Sequence, residues 1–144
     1  MRMALEEAQK AYQRQEVPIG AVVVQDGEVI GRGHNLIETL QDPTAHAEIV
    51  AITAASHAAA SWRLDDTALY TTLEPCPMCA GAILIARIPL LVYAARDPRY
   101  GADGSALQVL NNRNLDIRTE VIAGVGEKES GSLLKQFFKN IRQK

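Results

Sequence analysis

The chain has 144 residues, 47 % of them hydrophobic and 22 % charged, with a net charge of −2. That length is expected for a single domain spanning 1–144 that buries roughly 70 % of the surface its unfolded form exposes. Two cysteines exclude a disulfide-dense scaffold. Acids stand where a signal peptide would carry its apolar core, and charges interrupt every candidate membrane span, so a cytoplasmic protein with reduced thiols is expected.

Residues 2–15 read as an amphipathic helix with Leu5, Ala8, Ala11 and Tyr12 on one side. Residues 17–25 and 28–34 predict a hairpin closed by Asp26-Gly27, with valine and isoleucine supplying β propensity. A turn-rich loop follows at 35–44, and Thr44 is suited to cap a helix over 45–57. That helix is apolar on most sides, as a buried helix is. A strand is expected at 67–72, a turn at Leu73-Glu74-Pro75, and a second apolar helix at 77–86 with Pro77 in its first position. Then come a strand at 90–95, a glycine-rich loop at 96–105, a short helix near 106–112, a strand near 117–122 and a last helix at 127–142. The final ten residues hold Lys135, Lys139, Arg142 and Lys144 and no acid, which leaves −6 on residues 1–134. A basic tail on an acidic body suits phosphate binding, and equally suits a solvated helix end.

The middle of the chain is βαβαβ, which implies neighbouring parallel strands with right-handed crossovers. Ligands in such sheets sit outside the C-terminal strand ends. Those ends carry His34-Asn35, Glu74-Pro75-Cys76 and Arg96-Asp97. The starts of both apolar helices face the same edge, so His46, Glu48, Cys76 and Cys79 are expected to meet there.

An apolar helix has no structural need for His46 or Glu48, and buried ionisable groups are costly unless paired or ligated. Cys76 and Cys79 flank the start of the next helix, where backbone N–H groups stabilise thiolates. One imidazole and two thiolates suit Zn²⁺, and three protein ligands leave the open fourth position of a catalytic site. Water there has its pKa lowered toward about 7, and Glu48, beside the metal, is the candidate proton shuttle. Taken singly, each residue also has a structural reading: a redox pair, a satisfied core histidine, a helix-dipole partner. His57 lies about 16 Å along the helix from His46 and is too far to ligate. His34, at a strand end on the same edge, stays open as a fourth ligand.

Together, His46-Ala47-Glu48 and Pro75-Cys76-Pro77-Met78-Cys79 follow the H-x-E…P-C-x-x-C pattern of zinc deaminases. Over nearly its whole length the chain resembles the bacterial tRNA-specific adenosine deaminases of the cytidine deaminase-like superfamily. The resemblance rests on 16–22, Asn35, the run from Asp42 to Ile49, 72–82, Ala95-Arg96-Asp97 with Gly101 to Ser105, and Phe137-Phe138 with Arg142. It departs at Ile141, where the family often has a second basic residue, and at Pro98-Arg99-Tyr100. The resemblance implies an α/β fold, a three-layer α/β/α sandwich around a mixed five-stranded sheet. It implies one Zn²⁺ per subunit, a homodimer, and a tRNA anticodon stem-loop whose wobble adenosine becomes inosine. It also implies substrate contacts at Asn35, Ala47, Asp97, Phe138 and Arg142, with either Phe137 or Phe138 anchoring the last helix instead. Rival readings are a guanine or cytosine deaminase, which shares the zinc motif, and a non-catalytic zinc-stabilised RNA-binding module. The 96–105 loop and the basic tail favour tRNA over the first, and Glu48 argues against the second.

Overall fold

A computed structural model describes residues 1–144. In chain order the elements are α1 (Arg2–Gln13), β1 (Gly20–Gln25), β2 (Glu28–His34), α2 (Ile37–Leu40), α3 (Ala47–Ala59), β3 (Thr67–Leu73), α4 (Pro77–Ile85), β4 (Leu90–Ala95), β5 (Glu120–Ala123) and α5 (Glu127–Arg142). The five strands form one sheet in the order β2-β1-β3-β4-β5. β1 is antiparallel to both its neighbours, and β3, β4 and β5 are mutually parallel. The sheet is therefore mixed, as expected. The hairpin turn also matches, with Asp26 at φ 51° and Gly27 at φ 77°, both in the left-handed region that a tight hairpin turn requires.

One expectation about neighbours is corrected. β2 and β3 point the same way but are not adjacent, because β1 lies between them. The hairpin partner occupies the slot that the crossover through α3 would otherwise fill. The direction of β2 is unaffected, so its C-terminal end still lies at the edge where β3 and β4 end.

Residues alternate cleanly between the two faces. Ala21, Val23, Leu69, Leu91 and Tyr93 pack with Ala47, Ala51 and Ala55 of α3 and Ile83 and Leu84 of α4 in one buried cluster. The opposite face carries α1 and α5, which touch each other and the sheet. Ala4, Ala8 and Ala11 of α1 and Phe137 of α5 are buried there. Leu5 and Tyr12, placed on the buried side by the helical pattern, are only partly covered. Tyr12 instead meets the Phe137 ring edge-on at 5.9 Å.

The closeness of α3 to the sheet is set by glycine. A Cβ on Gly33 would lie 2.4 Å from the Ala47 carbonyl oxygen and 2.6 Å from the Ala51 nitrogen. Only a bare backbone admits the helix at that height, and α3 begins beside His46 and Glu48. Gly33→Ala is expected to cost about 3 kcal/mol in urea unfolding, because the clash is with backbone and cannot be relieved by a rotamer change. It is also expected to reduce metal uptake, since the helix that presents His46 must lift.

Two local expectations fail. No helix forms at 106–112; the segment is irregular, with an isolated bridge between Asp103 and Gln108. Its backbone donors are taken elsewhere: Val109 N–H donates to the Ala102 carbonyl at 2.9 Å, while Leu110 is drawn fully into the core. So short a segment gains too few helical bonds to repay nucleation against those contacts. Nor does Thr44 cap a helix. Asp42 Oδ1 accepts the Thr44 N–H at 2.8 Å and its hydroxyl at 2.7 Å, an Asx turn, and α3 starts later with His46 as its N-cap residue. The 35–44 loop contains one further short helix, α2, whose Glu38 and Thr39 N–H groups donate to the buried Glu16 carboxylate at 3.3 and 2.6 Å.

Candidate active site

Each chemically active side chain sits at a helix start. His46 and Cys76 are the N-cap residues of α3 and α4, both with extended backbone (ψ 152° and 171°), and neither helix has a side-chain cap. Glu48 and Cys79 fall in the first turns of the same helices. Their open N–H ends favour negative charge, which suits a carboxylate and thiolates.

The ligand atoms of His46, Cys76 and Cys79 all lie within 4.8 Å of one another. His46 Nδ1 is 3.5 Å from Cys76 Sγ and 3.6 Å from Cys79 Sγ. A tetrahedral zinc with Zn–N of about 2.05 Å and Zn–S of about 2.3 Å has an N···S edge of about 3.5 Å. The three residues thus have both the donor set and the spacing for such an ion. His34 does not join them. Its Nδ1 pairs with Glu7 Oε2 at 3.0 Å, and Glu7 is shared with Lys10 at 2.6 Å.

The two sulfurs are unlike. Cys76, half-buried, is held down to about 4 by a hydrogen bond from Cys79 and a further one from His46. Cys79, fully buried, is pushed up by its hydrogen bond to Cys76 and by burial. Its S–H donates to Glu48 Oε2 at 3.6 Å. His46 is raised, chiefly by its contact with Cys76. Glu48, 4 % exposed, is raised by burial. A divalent cation reverses this order by deprotonating coordinated thiols outright.

These groups form one wall of a cavity of about 780 Å³. Ala47, fully buried, lines it beside His46 and Glu48. Asn35 lines it from the end of β2; the residue is 4 % exposed and its Oδ1 has no hydrogen-bond partner. Asp97 and the three residues after it form a further wall, and Leu134 and Phe138 of α5 contribute as well. Phe138 is 42 % exposed whereas Phe137 is buried, so Phe137 is the anchor and Phe138 is free for contact. Arg142 does not reach the main cavity. It lines an adjoining groove of about 530 Å³ with Arg99, Lys135 and Lys139, and the two spaces share Arg99, Leu134 and Phe138.

Sequence reasoning missed Glu74. This carboxylate is 1 % exposed and sits directly before the Pro75-Cys76 pair, where it gathers donors from the 97–105 loop.

One imidazole, two thiols and a non-ligating buried carboxylate, assembled at the C-terminal edge of an α/β sheet, define the deaminase class. Residues 1–142 match the MafB19-like deaminase family. The whole chain is 46 % identical to the tRNA-specific adenosine deaminase of Bacillus subtilis, covering 89 % of that protein. A solved structure from a study of A-to-I editing by tRNA:A34 deaminases superposes with a TM-score of 0.89 at 47 % identity, over 93 % of this chain and 97 % of that one. The guanine deaminase of B. subtilis aligns over 66 % of this chain and 61 % of its own, with 44 % identity and a TM-score of 0.63. The chain belongs to the MafB19-like deaminases and, among them, to the tRNA-specific adenosine deaminase family. No helix in it is long and apolar enough to cross a membrane.

Proposed function

We propose that residues 1–144 act as one deaminase domain that hydrolyses the wobble adenosine of a tRNA anticodon stem-loop to inosine. The observation that carries the RNA reading is the continuity of the catalytic cavity with the cationic groove of Arg99, Lys135, Lys139 and Arg142. A free-base deaminase has no use for a phosphate track running out of its pocket.

His46 Nδ1, Cys76 Sγ and Cys79 Sγ would hold one zinc ion. When bound, zinc supplies the Lewis acidity that activates water at neutral pH. Glu48 takes one proton of the attacking water and passes it to the adenine N1, then carries the remaining hydroxyl proton to the leaving amine. The C6–O bond forms, the C6–N6 bond breaks, and ammonia departs. Burial raises Glu48 toward the working pH, which suits a group that must both accept and return a proton. Asn35 Oδ1, buried without a partner, is a ready acceptor for a base N–H or a ribose hydroxyl. Ala47 forms the floor beside the ligand and the shuttle. Asp97 meets the sugar of the target or of a neighbouring nucleotide, Phe138 stacks on an unpaired base, and Arg142 meets phosphate.

Arg142→Ala is expected to raise the Kd for an anticodon stem-loop about threefold to tenfold and to reduce the salt slope of binding by about one, with ammonia release at saturation unchanged. Fluorescence anisotropy over a salt series checks both. To separate substrates, purified protein is given an adenosine-bearing stem-loop, free guanine or cytidine, and ammonia is measured. Release from the stem-loop alone is expected; release from guanine alone overturns the RNA reading.

The protein works as a homodimer in this reading. Pro77, Met78 and Ile85 are exposed along α4, with Gly81 and Ala82 between them and no charge on that face. Met78 also lines the cavity, so a second copy seated there would border the substrate site. Ile85→Lys is expected to halve the mass measured by light scattering.

A further inference from the structure

A dense polar cluster outside the metal ligands surrounds the Glu74 carboxylate. Its Oε1 accepts the Asp97 N–H at 3.3 Å and the Ser105 hydroxyl. Its Oε2 accepts the N–H groups of Asp103 at 3.0 Å and Ser105 at 3.4 Å. Arg96 Nη1 is 3.9 Å from Oε1, and the Tyr93 hydroxyl donates to Asp103 at 2.9 Å behind it. The loop wraps so closely that a Cβ on Gly101 would lie 2.1 Å from Glu74 Oε2, and Ala102 N–H donates to the Pro75 carbonyl at 2.8 Å.

A buried carboxylate costs several kcal/mol unless its lone pairs are filled. Here every hydrogen bond to either oxygen comes from the 97–105 loop, with Arg96 adding an ion pair at 3.9 Å. Glu74 therefore has one conformational demand, that this loop be closed onto the strand end preceding Cys76. The loop in turn supplies Asp97, Pro98, Arg99 and Tyr100 to the cavity wall. From this we infer that Glu74 is a positioning residue that fixes the substrate-facing loop to the metal-ligand segment and thereby sets affinity for the nucleic acid around the target base. This rests on the reading of the cavity as an RNA site and goes beyond it by naming what holds its outer wall.

Glu74→Gln makes the inference selective. An amide offers one oxygen and one NH₂. With NH₂ at the Oε2 position it would face two backbone donors. With NH₂ at the Oε1 position it faces the Ser105 hydroxyl, which can turn to accept, and the Asp97 N–H, which cannot. The amide therefore settles in the second orientation, and Asp97 alone loses its anchor.

The experiment compares zinc-loaded wild type with Glu74→Gln on an adenosine-bearing stem-loop and follows backbone amide exchange. The loss of one hydrogen bond to a charged acceptor is expected to raise KM about tenfold or more. kcat at saturation and one metal per chain are expected to persist, and amides of 97–105 to exchange faster while those of α3 and α4 do not. A merely structural role would lower the melting temperature without this split between KM and kcat. An unchanged KM, or a fall in kcat at constant KM, overturns the inference. If Glu74→Gln does not fold, Ser105→Ala removes one donor from the same carboxylate and keeps its charge; a few-fold rise in KM supports the inference and an unchanged KM overturns it. If the wild type leaves the stem-loop untouched, the RNA reading fails, and amide exchange alone decides whether Glu74 holds the loop.

Discussion

Glu48→Ala is expected to retain one zinc ion per chain and to lose turnover by about 10³-fold, within the range that a positioned acid–base group contributes. The expectation follows from its place. Glu48 is buried in the first turn of α3, two residues after the ligand His46, and its Oε2 lies 3.6 Å from Cys79 Sγ. It is close enough to the ligand set to exchange a proton with water held there. Its side-chain hydrogen-bond partner is the ligand Cys79 itself, so nothing outside the site explains so costly a burial. Truncation removes a charge from an apolar helix, so the fold survives. Atomic absorption and ammonia release together separate this outcome from simple loss of metal. Turnover at the wild-type rate with metal retained would remove Glu48 from the mechanism.

Stripping the metal with a chelator is expected to abolish turnover and to lower the melting temperature by about 10 °C. A ligand held a thousandfold above its Kd contributes roughly 4 kcal/mol to stability, which for a chain of this size corresponds to a shift of that order. Zinc should restore both properties and magnesium neither, because one imidazole and two thiolates are a poor home for a hard cation. Uptake should weaken as pH falls. His46, whose pKa is raised chiefly by contact with Cys76, must be neutral to ligate, so acid competes directly with metal. Differential scanning calorimetry with and without zinc, at neutral pH and below His46's raised pKa, checks the sign.

Much of this site was legible in the sequence because its parts break local rules. A histidine and a glutamate opening an apolar helix, and two cysteines flanking the next, have no packing role. The βαβ pattern brings their helix starts to one edge of the sheet. The span of α5 also follows from pattern alone, and the mixed five-stranded sheet from the family resemblance. What was hidden depends on tertiary partners. The place of β1 between β2 and β3 is a matter of pairing that no single strand's composition encodes. The helical expectation for 106–112 fails because Leu110 is claimed by the core and its neighbours' donors by Ala102. Thr44 looked like a helix cap, but its hydroxyl and N–H both donate to Asp42, two residues away, and the helix starts later. Glu74 and Glu16 escaped notice because a buried carboxylate is recognisable only once the loop it holds has been folded around it.

The central claim is that this cavity deaminates one adenosine in a folded anticodon loop. Nucleoside analysis of a stem-loop carrying adenosine at the wobble position and elsewhere, after incubation with the zinc-loaded protein, tests it most directly. The expected result is inosine at the wobble position alone, with one ammonia released per inosine and none from Glu48→Ala. An intact stem-loop beside rapid turnover of free guanine would contradict it.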